Sequence, residues 1–139
     1  MPGVSAFGTT LKIGGTAGTA VVGVTSIEGP GWSVDTLDVT SHDSASAYRE
    51  VAASFIDAGE VTLRLNYDPA TATHKNAAGG LLHLLTTRAA SPFAIGFPTT
   101  PASGFTFTAL VTAFAPSAPF DGKLEANATL KITGAVTQY

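Results

Sequence analysis

From Glu60 to Asn66 the chain alternates without interruption. Val61, Leu63 and Leu65, continued by Tyr67, fall on one side, and Glu60, Thr62, Arg64 and Asn66 fall on the other. Only an extended strand with one buried and one wet face satisfies that order, because side chains alternate across a strand with a period of two. The pattern returns near the C-terminus, where Leu124, Ala126, Ala128, Leu130 and Ile132 oppose Glu125, Asn127, Thr129 and Lys131, with Phe120-Asp121-Gly122 supplying the preceding turn. Between these two strands, Phe105, Phe107, Ala109, Val111 and Ala113 alternate with Thr106, Thr108, Leu110, Thr112 and Phe114. Neither side is strongly polar, so this strand is expected to be covered on both faces. Residues 20–28 are rich in β-branched side chains and stop at Gly29-Pro30-Gly31, and shorter strands are expected at residues 9–13, 36–40 and 92–97.

One helix breaks the series. Ala77, Leu81, Leu84 and Leu85 recur at helical spacing, and Asp68 with Pro69, or Thr71, provides a start; the pattern runs to about Arg88. Gly79-Gly80 inside it costs about 1 kcal/mol per glycine relative to alanine, so the helix must rely on packing or start late. With 139 residues the chain is read as a single domain, residues 1–139. The expected fold is mainly β: a β-sandwich or partly closed barrel, with one α-helix packed on it and a long inter-strand loop.

That loop, residues 30–58, holds Asp35, Asp38, Asp43, Glu50 and Asp57 against one base, Arg49, whereas the rest of the chain has five acids and six bases. Connections of this length are functional or disordered. Disorder does not suit Trp32, Val34, Leu37, Val39, Tyr48, Val51, Phe55 and Ile56, large apolar groups that disordered segments lack. Something must cover them, either the loop's own fold or another subunit. Charged residues make up 12% of the chain, about half the usual share, so much of the surface is expected to be contact surface.

Composition excludes several function classes. A net charge of −3 without a Lys/Arg cluster argues against binding that neutralises phosphates, and the absence of cysteine rules out disulfides and thiolate chemistry. The first residues lack the pattern of a secretory signal, and no run approaches the ~18 apolar residues of a membrane span, so neither export nor a membrane partner is expected. His42, His74 and His83 have no zinc-site spacing and fit surface or capping roles. Ser41, His42 and Asp43 are the residue types of a hydrolase, but adjacent positions do not place a base on a nucleophile with an orienter behind it. No phosphate-cradling glycine pattern is present, and Asp35 with Asp38 lacks a calcium-loop spacing. No catalytic, cofactor or metal residue is assigned. Trp32 fits a packing anchor beside the Gly-Pro-Gly turn better than a sugar-stacking platform.

The residues GPGWSVDTLDVTSHDS, followed by AYREVAASFIDAGEVTLRLNYDPA, closely resemble the tail tube proteins of bacteriophages with long non-contractile tails. In that family a breaker-rich turn, a D-x-x-D-V-T-x-H-D element and an AGE-strand-NYDP element occur in this order. GTTLKI near the start, His74 after YDP, the strand ending at Pro98, the turn at Pro119 to Gly122 and the closing LKITG extend the likeness over nearly the whole chain. The resemblance implies a structural virion protein whose copies form hexameric rings, stacked into a hollow tube through which DNA passes. It implies assembly in the host cytoplasm, with tape-measure, tail terminator and tail-tip proteins as partners and no cofactor. Trp32, Asp35, Asp38, Asp43, Tyr48, Arg49, Glu50, Phe55 and Asp57 are then the candidate subunit or ring contacts. The polar faces Glu60, Thr62, Arg64, Asn66 and Glu125, Asn127, Thr129, Lys131 are the candidate lumen lining, with Arg64 and Lys131 expected to pair with neighbouring acids. Two other readings compete: a tube protein of a contractile injection or type VI-like system, and a monomeric carbohydrate- or surface-binding β-sandwich with Trp32 and Tyr48 as stacking residues.

Overall fold

The computed structural model describes residues 3–43, 47–99 and 101–139. Ser44, which ends the VTSHDS element, lies outside them. Among the described residues the strands are β1 (Thr10–Ile13), β2 (Thr19–Ala20), β3 (Val24–Glu28), β4 (Ser33–Asp38), β5 (Val51–Asp57), β6 (Glu60–Asn66), β7 (Ser91–Phe97), β8 (Ser103–Ser117) and β9 (Glu125–Gln138), with one helix, α1 (Leu81–Thr87), between β6 and β7. Seven strands make one antiparallel sheet in the order β2-β1-β7-β8-β9-β6-β3, and β4 with β5 makes a separate two-stranded sheet. Of the two expected forms it is the partly closed barrel: one sheet curls around the core, and the small β4–β5 sheet does not lie over it as a second layer.

The alternation in β6 and β9 sets the core. Val61, Leu63, Leu65, Ala126, Ala128, Leu130 and Ile132 are buried in one cluster with Leu11, Phe93, Ile95, Phe107, Ala109 and Val111. In β8 the two-sided cover is not found, since Thr108, Thr112 and Ala113 are exposed. Bulges between Thr106 and Thr108 and between Val111 and Ala113 shift its register against β9. An extra residue moves the following side chains to the other face, which is why Phe114 rather than Ala113 packs on the core.

Two further expectations change. Residues 20–28 are broken by a turn at Val22 and Gly23, where Val22 meets two groups of the segment before α1: its N–H donates to Thr73 Oγ1 at 3.3 Å and its carbonyl meets His74 Nε2. Since His74 Nδ1 accepts the Asp68 N–H at 3.2 Å, Nε2 carries the proton. His74 is buried, neither a surface nor a capping residue. The helix takes the late start: residues 69–79 form successive turns, and α1 begins only after Gly79-Gly80. Leu81 is fully buried while Leu84 and Leu85 pack partly on the core, so tertiary contact holds a helix of 7 residues that would not persist alone.

Candidate functional site

The described residues of the stretch 30–58 are not an irregular loop: β4 and β5 pair as the two arms of a β-hairpin. Val34 on one strand, and Val51, Phe55 and Ile56 on the other, are strand formers. Ser33 pairs with Asp57, Val34 with Ile56, Thr36 with Ala53, Leu37 with Ala52 and Asp38 with Val51. The strand expected at residues 36–40 therefore begins and ends earlier. A bulge between Val34 and Thr36 leaves an extra residue on β5.

Two glycines set the root of this hairpin. Gly29 and Gly59 both have positive φ, and a Cβ would stand 2.4 Å from the Glu60 carbonyl oxygen at the first and 2.5 Å from that of Gly31 at the second. No other residue lets the two chains pass this closely. Gly59 N–H donates to Asp57 Oδ1 at 2.9 Å, and Lys131 Nζ reaches the same oxygen at 3.5 Å. The Gly59 hydrogen bond first, and Lys131 second, hold the Asp57 carboxyl below its ordinary range. Lys131 thus has the acidic partner expected for it. Arg64 does not: its Nε donates to Asn127 Oδ1 at 3.2 Å.

At the far end, Arg49 pairs with Asp38 at 3.3 Å. Thr40 lowers the Asp38 carboxyl through its side chain and its backbone N–H, the latter at 2.9 Å. The Thr40 hydroxyl has one proton and two acceptors in reach, Asp38 and the Glu50 carbonyl at 3.2 Å, so the N–H contact is the uncontested one. Glu50 N–H returns a hydrogen bond to Thr40 Oγ1 at 2.7 Å. Both ends of the hairpin are thereby tied to itself or to the barrel through a carboxylate.

Its apolar side chains are not covered. Leu37 is 57% exposed, Tyr48 76% and Phe55 83%, and Val34, Val39, Val51 and Ile56 are exposed as well. Val34 and Leu37 are an odd number of residues apart and face opposite sides, so both faces of the two-stranded sheet are apolar and wet. The exception is at the root, where Trp32 meets Phe105 edge-on at 5.2 Å and Phe105 meets Phe97 at 5.7 Å. Trp32 is the packing anchor expected of it, although half its surface remains exposed. Asp35, Asp43 and Glu50 are exposed, with no ion-pair partner among the described residues. Trp32 sits before the first pair, Ser33 with Asp57, and Tyr48 three residues beyond the last, Asp38 with Val51, so more than about 20 Å of strand rise separates them and they do not form one stacking platform.

The second candidate surface is the outer face of the sheet. Register places Glu60 against Lys131, Thr62 against Thr129, Arg64 against Asn127 and Asn66 against Glu125. Pairing of β3 with β6 adds Glu28 beside Thr62 and Ser26 beside Arg64, two residues that sequence reading missed because a bulge hides their alternation. On the other flank, Ala113, Ala115 and Ser117 of β8 sit beside Thr129, Asn127 and Glu125. The result is a continuous polar face whose two cations are engaged, by Asn127 and by Asp57. Among the described residues, no group of three His, Asp or Glu side chains is placed to hold a metal, and no helix is long and apolar enough to cross a membrane.

No protein-family model matches the chain, and no curated protein does. Solved structures from three kinds of particle do. A chain of the native gene transfer agent (GTA) virion superposes with a TM-score of 0.76 at 13% identity, covering 99% of each chain. A chain from the tail of the empty GTA particle, refined with C6 symmetry, gives 0.68 at 15% identity over 92% of each. A chain of the PVC sheath-tube complex, from an extracellular contractile injection system in its extended state, gives 0.71 at 12%, covering 99% of this chain and 91% of that one. The SPP1 tail tube gives 0.66 at 9%, covering 94% and 75%. The chain has the fold of tail tube proteins.

Proposed function

We propose that this chain is a structural subunit of a phage-type tail tube, whose copies close into hexameric rings that stack around a lumen. The observation that carries this reading is the β4–β5 hairpin, which exposes apolar side chains on both faces. A two-stranded hairpin is marginal in water by itself, and each large side chain it leaves wet forgoes about 1.5–3 kcal/mol of burial. A second copy supplies the missing cover. The free edges of β2 and β3, at the two ends of the sheet, invite the same solution: rotation that closes on itself pairs every edge, whereas a lone subunit leaves them open.

The fold shared with a tail of C6 symmetry supports six copies, and the VTSHDS and NYDP elements favour the non-contractile class over the contractile one. The polar face of β3, β6 and β9 lines the lumen in this reading. Asp57 offsets Lys131, whereas Arg64, opposite the neutral Asn127 amide, keeps its charge; Glu28 and Glu60 outnumber it, and a lining of net negative sign repels a passing duplex instead of binding it through counterion release. Tape-measure, terminator and tail-tip proteins meet the ends of such a tube, its place is the virion, assembled in the host cytoplasm, and the role requires no catalytic group.

Negative-stain electron microscopy of the purified protein at rising concentration tests this directly. Wild type is expected to give hollow rings or tubes of uniform width. The double variant Leu37→Asp, Phe55→Asp should keep its β-type circular dichroism and give none. Tubes of unchanged yield from that variant would remove the hairpin from the contact.

A further inference from the structure

Charge is unevenly shared between the two parts of the molecule. Residues 30–58 carry a net −4 and the remainder a net +1. Two hairpin acids are engaged within the chain, Asp38 by Arg49 and Asp57 by Lys131, which leaves Asp35, Asp43 and Glu50. On the barrel, Lys123 pairs with Glu125, Arg64 donates to Asn127 and Lys12 to the Thr16 carbonyl. Lys75 and Arg88 are exposed and have no acidic partner among the described residues.

These two cations share one flank of the molecule. Thr86 donates to Asn76 Oδ1 at 3.0 Å, which lays the segment holding Lys75 along the last turn of α1, and Arg88 caps that turn. Leu82, on the same helix, is only half-buried and is not among the side chains that pack on the core. The outer sheet face is of mixed sign, with Glu28, Glu60 and Glu125 sharing one polar ladder with Arg64 and Lys131. An arm bearing free carboxylates meets both signs there, whereas the helix flank offers it Lys75 and Arg88 without acidic partners among the described residues.

We infer that the hairpin of one copy docks on the α1 flank of a second copy, its Asp43 and Glu50 facing Lys75 and Arg88 and its apolar side chains covering Leu82. The inference rests on the tube reading and names the receiving surface within it. Charge complementarity selects the register of the contact, and the apolar cover of both partners holds it.

Charge reversal tests the pairing. The variant Lys75→Glu, Arg88→Glu and the variant Asp43→Lys, Glu50→Lys are each expected to lower tube yield about tenfold or more at low salt, with circular dichroism unchanged. Combining all four substitutions should restore tubes. Wild-type yield from the Lys75→Glu, Arg88→Glu protein, or a folded quadruple variant that gives no tubes, would overturn the docking site while leaving the tube reading intact. A wild-type protein that forms neither rings nor tubes would overturn both.

Discussion

Asp38 and Asp57 show how single carboxylates control a large exposed element. Hydrogen bonds from Thr40 and Gly59 favour the charged form of each, so their folded-state values lie below that of an ordinary aspartate. The sign follows from linkage: the stabilisation is fully present above the unfolded value and is lost as pH falls through the depressed folded one. Acidification is therefore expected to loosen both ends of the hairpin below about pH 4 while the barrel persists. The Thr40 and Gly59 amide chemical shifts, followed by nuclear magnetic resonance, should titrate with midpoints below about 3.9. Midpoints at or above that value would show that these contacts do not form in solution.

At the scale of elements, β6 and β9 differ sharply from β4 and β5 although all four contain alternating or β-branched residues. Every core-facing residue of β6 is buried, whereas β4 is exposed at all 6 positions. Backbone hydrogen bonds in the hairpin are thus open to water on both faces, the condition for low local stability. In the free subunit, hydrogen exchange at neutral pH is expected to be much faster in β4 and β5 than in β6 and β9. In assembled tubes the hairpin amides should become protected. A hairpin already protected in a monomer would mean that it folds back on its own barrel and is not available to a second copy.

For the whole molecule, the arrangement of charge is more informative than its total. A net −3 distributes as an acidic arm, a cationic helix flank and a sheet face whose cations are engaged. If that face lines a conduit, reversing Glu60 and Glu125 to Lys should leave assembly intact but make the tube retain short duplex DNA, with retention falling as salt rises. A DNA co-sedimentation assay with wild-type and variant tubes would show the difference; equal, negligible retention by both would place the face elsewhere. The barrel's open seam belongs to the same scale. A groove of about 800 Å³ there is lined by Val4, Phe7, Val24, Ile27, Ile95 and Phe97, between the N-terminal segment, β3 and the end of β7.

Period-two alternation by itself determined β6 and β9, their buried faces and the polar ladder opposite, because burial of one face leaves a strand no other register. The acids and apolar groups of residues 30–58 likewise set that stretch apart from the rest of the chain by composition. What the chain could not reveal locally were features held by distant partners: the burial of His74 depends on Val22, the late start of α1 on where Leu81 meets the core, and the face switch in β8 on its register against β9. That β4 and β5 stand as a hairpin with both faces wet was also a tertiary outcome. Whether an apolar side chain is covered depends on what the rest of the fold brings to it, and here the barrel closes its core without them.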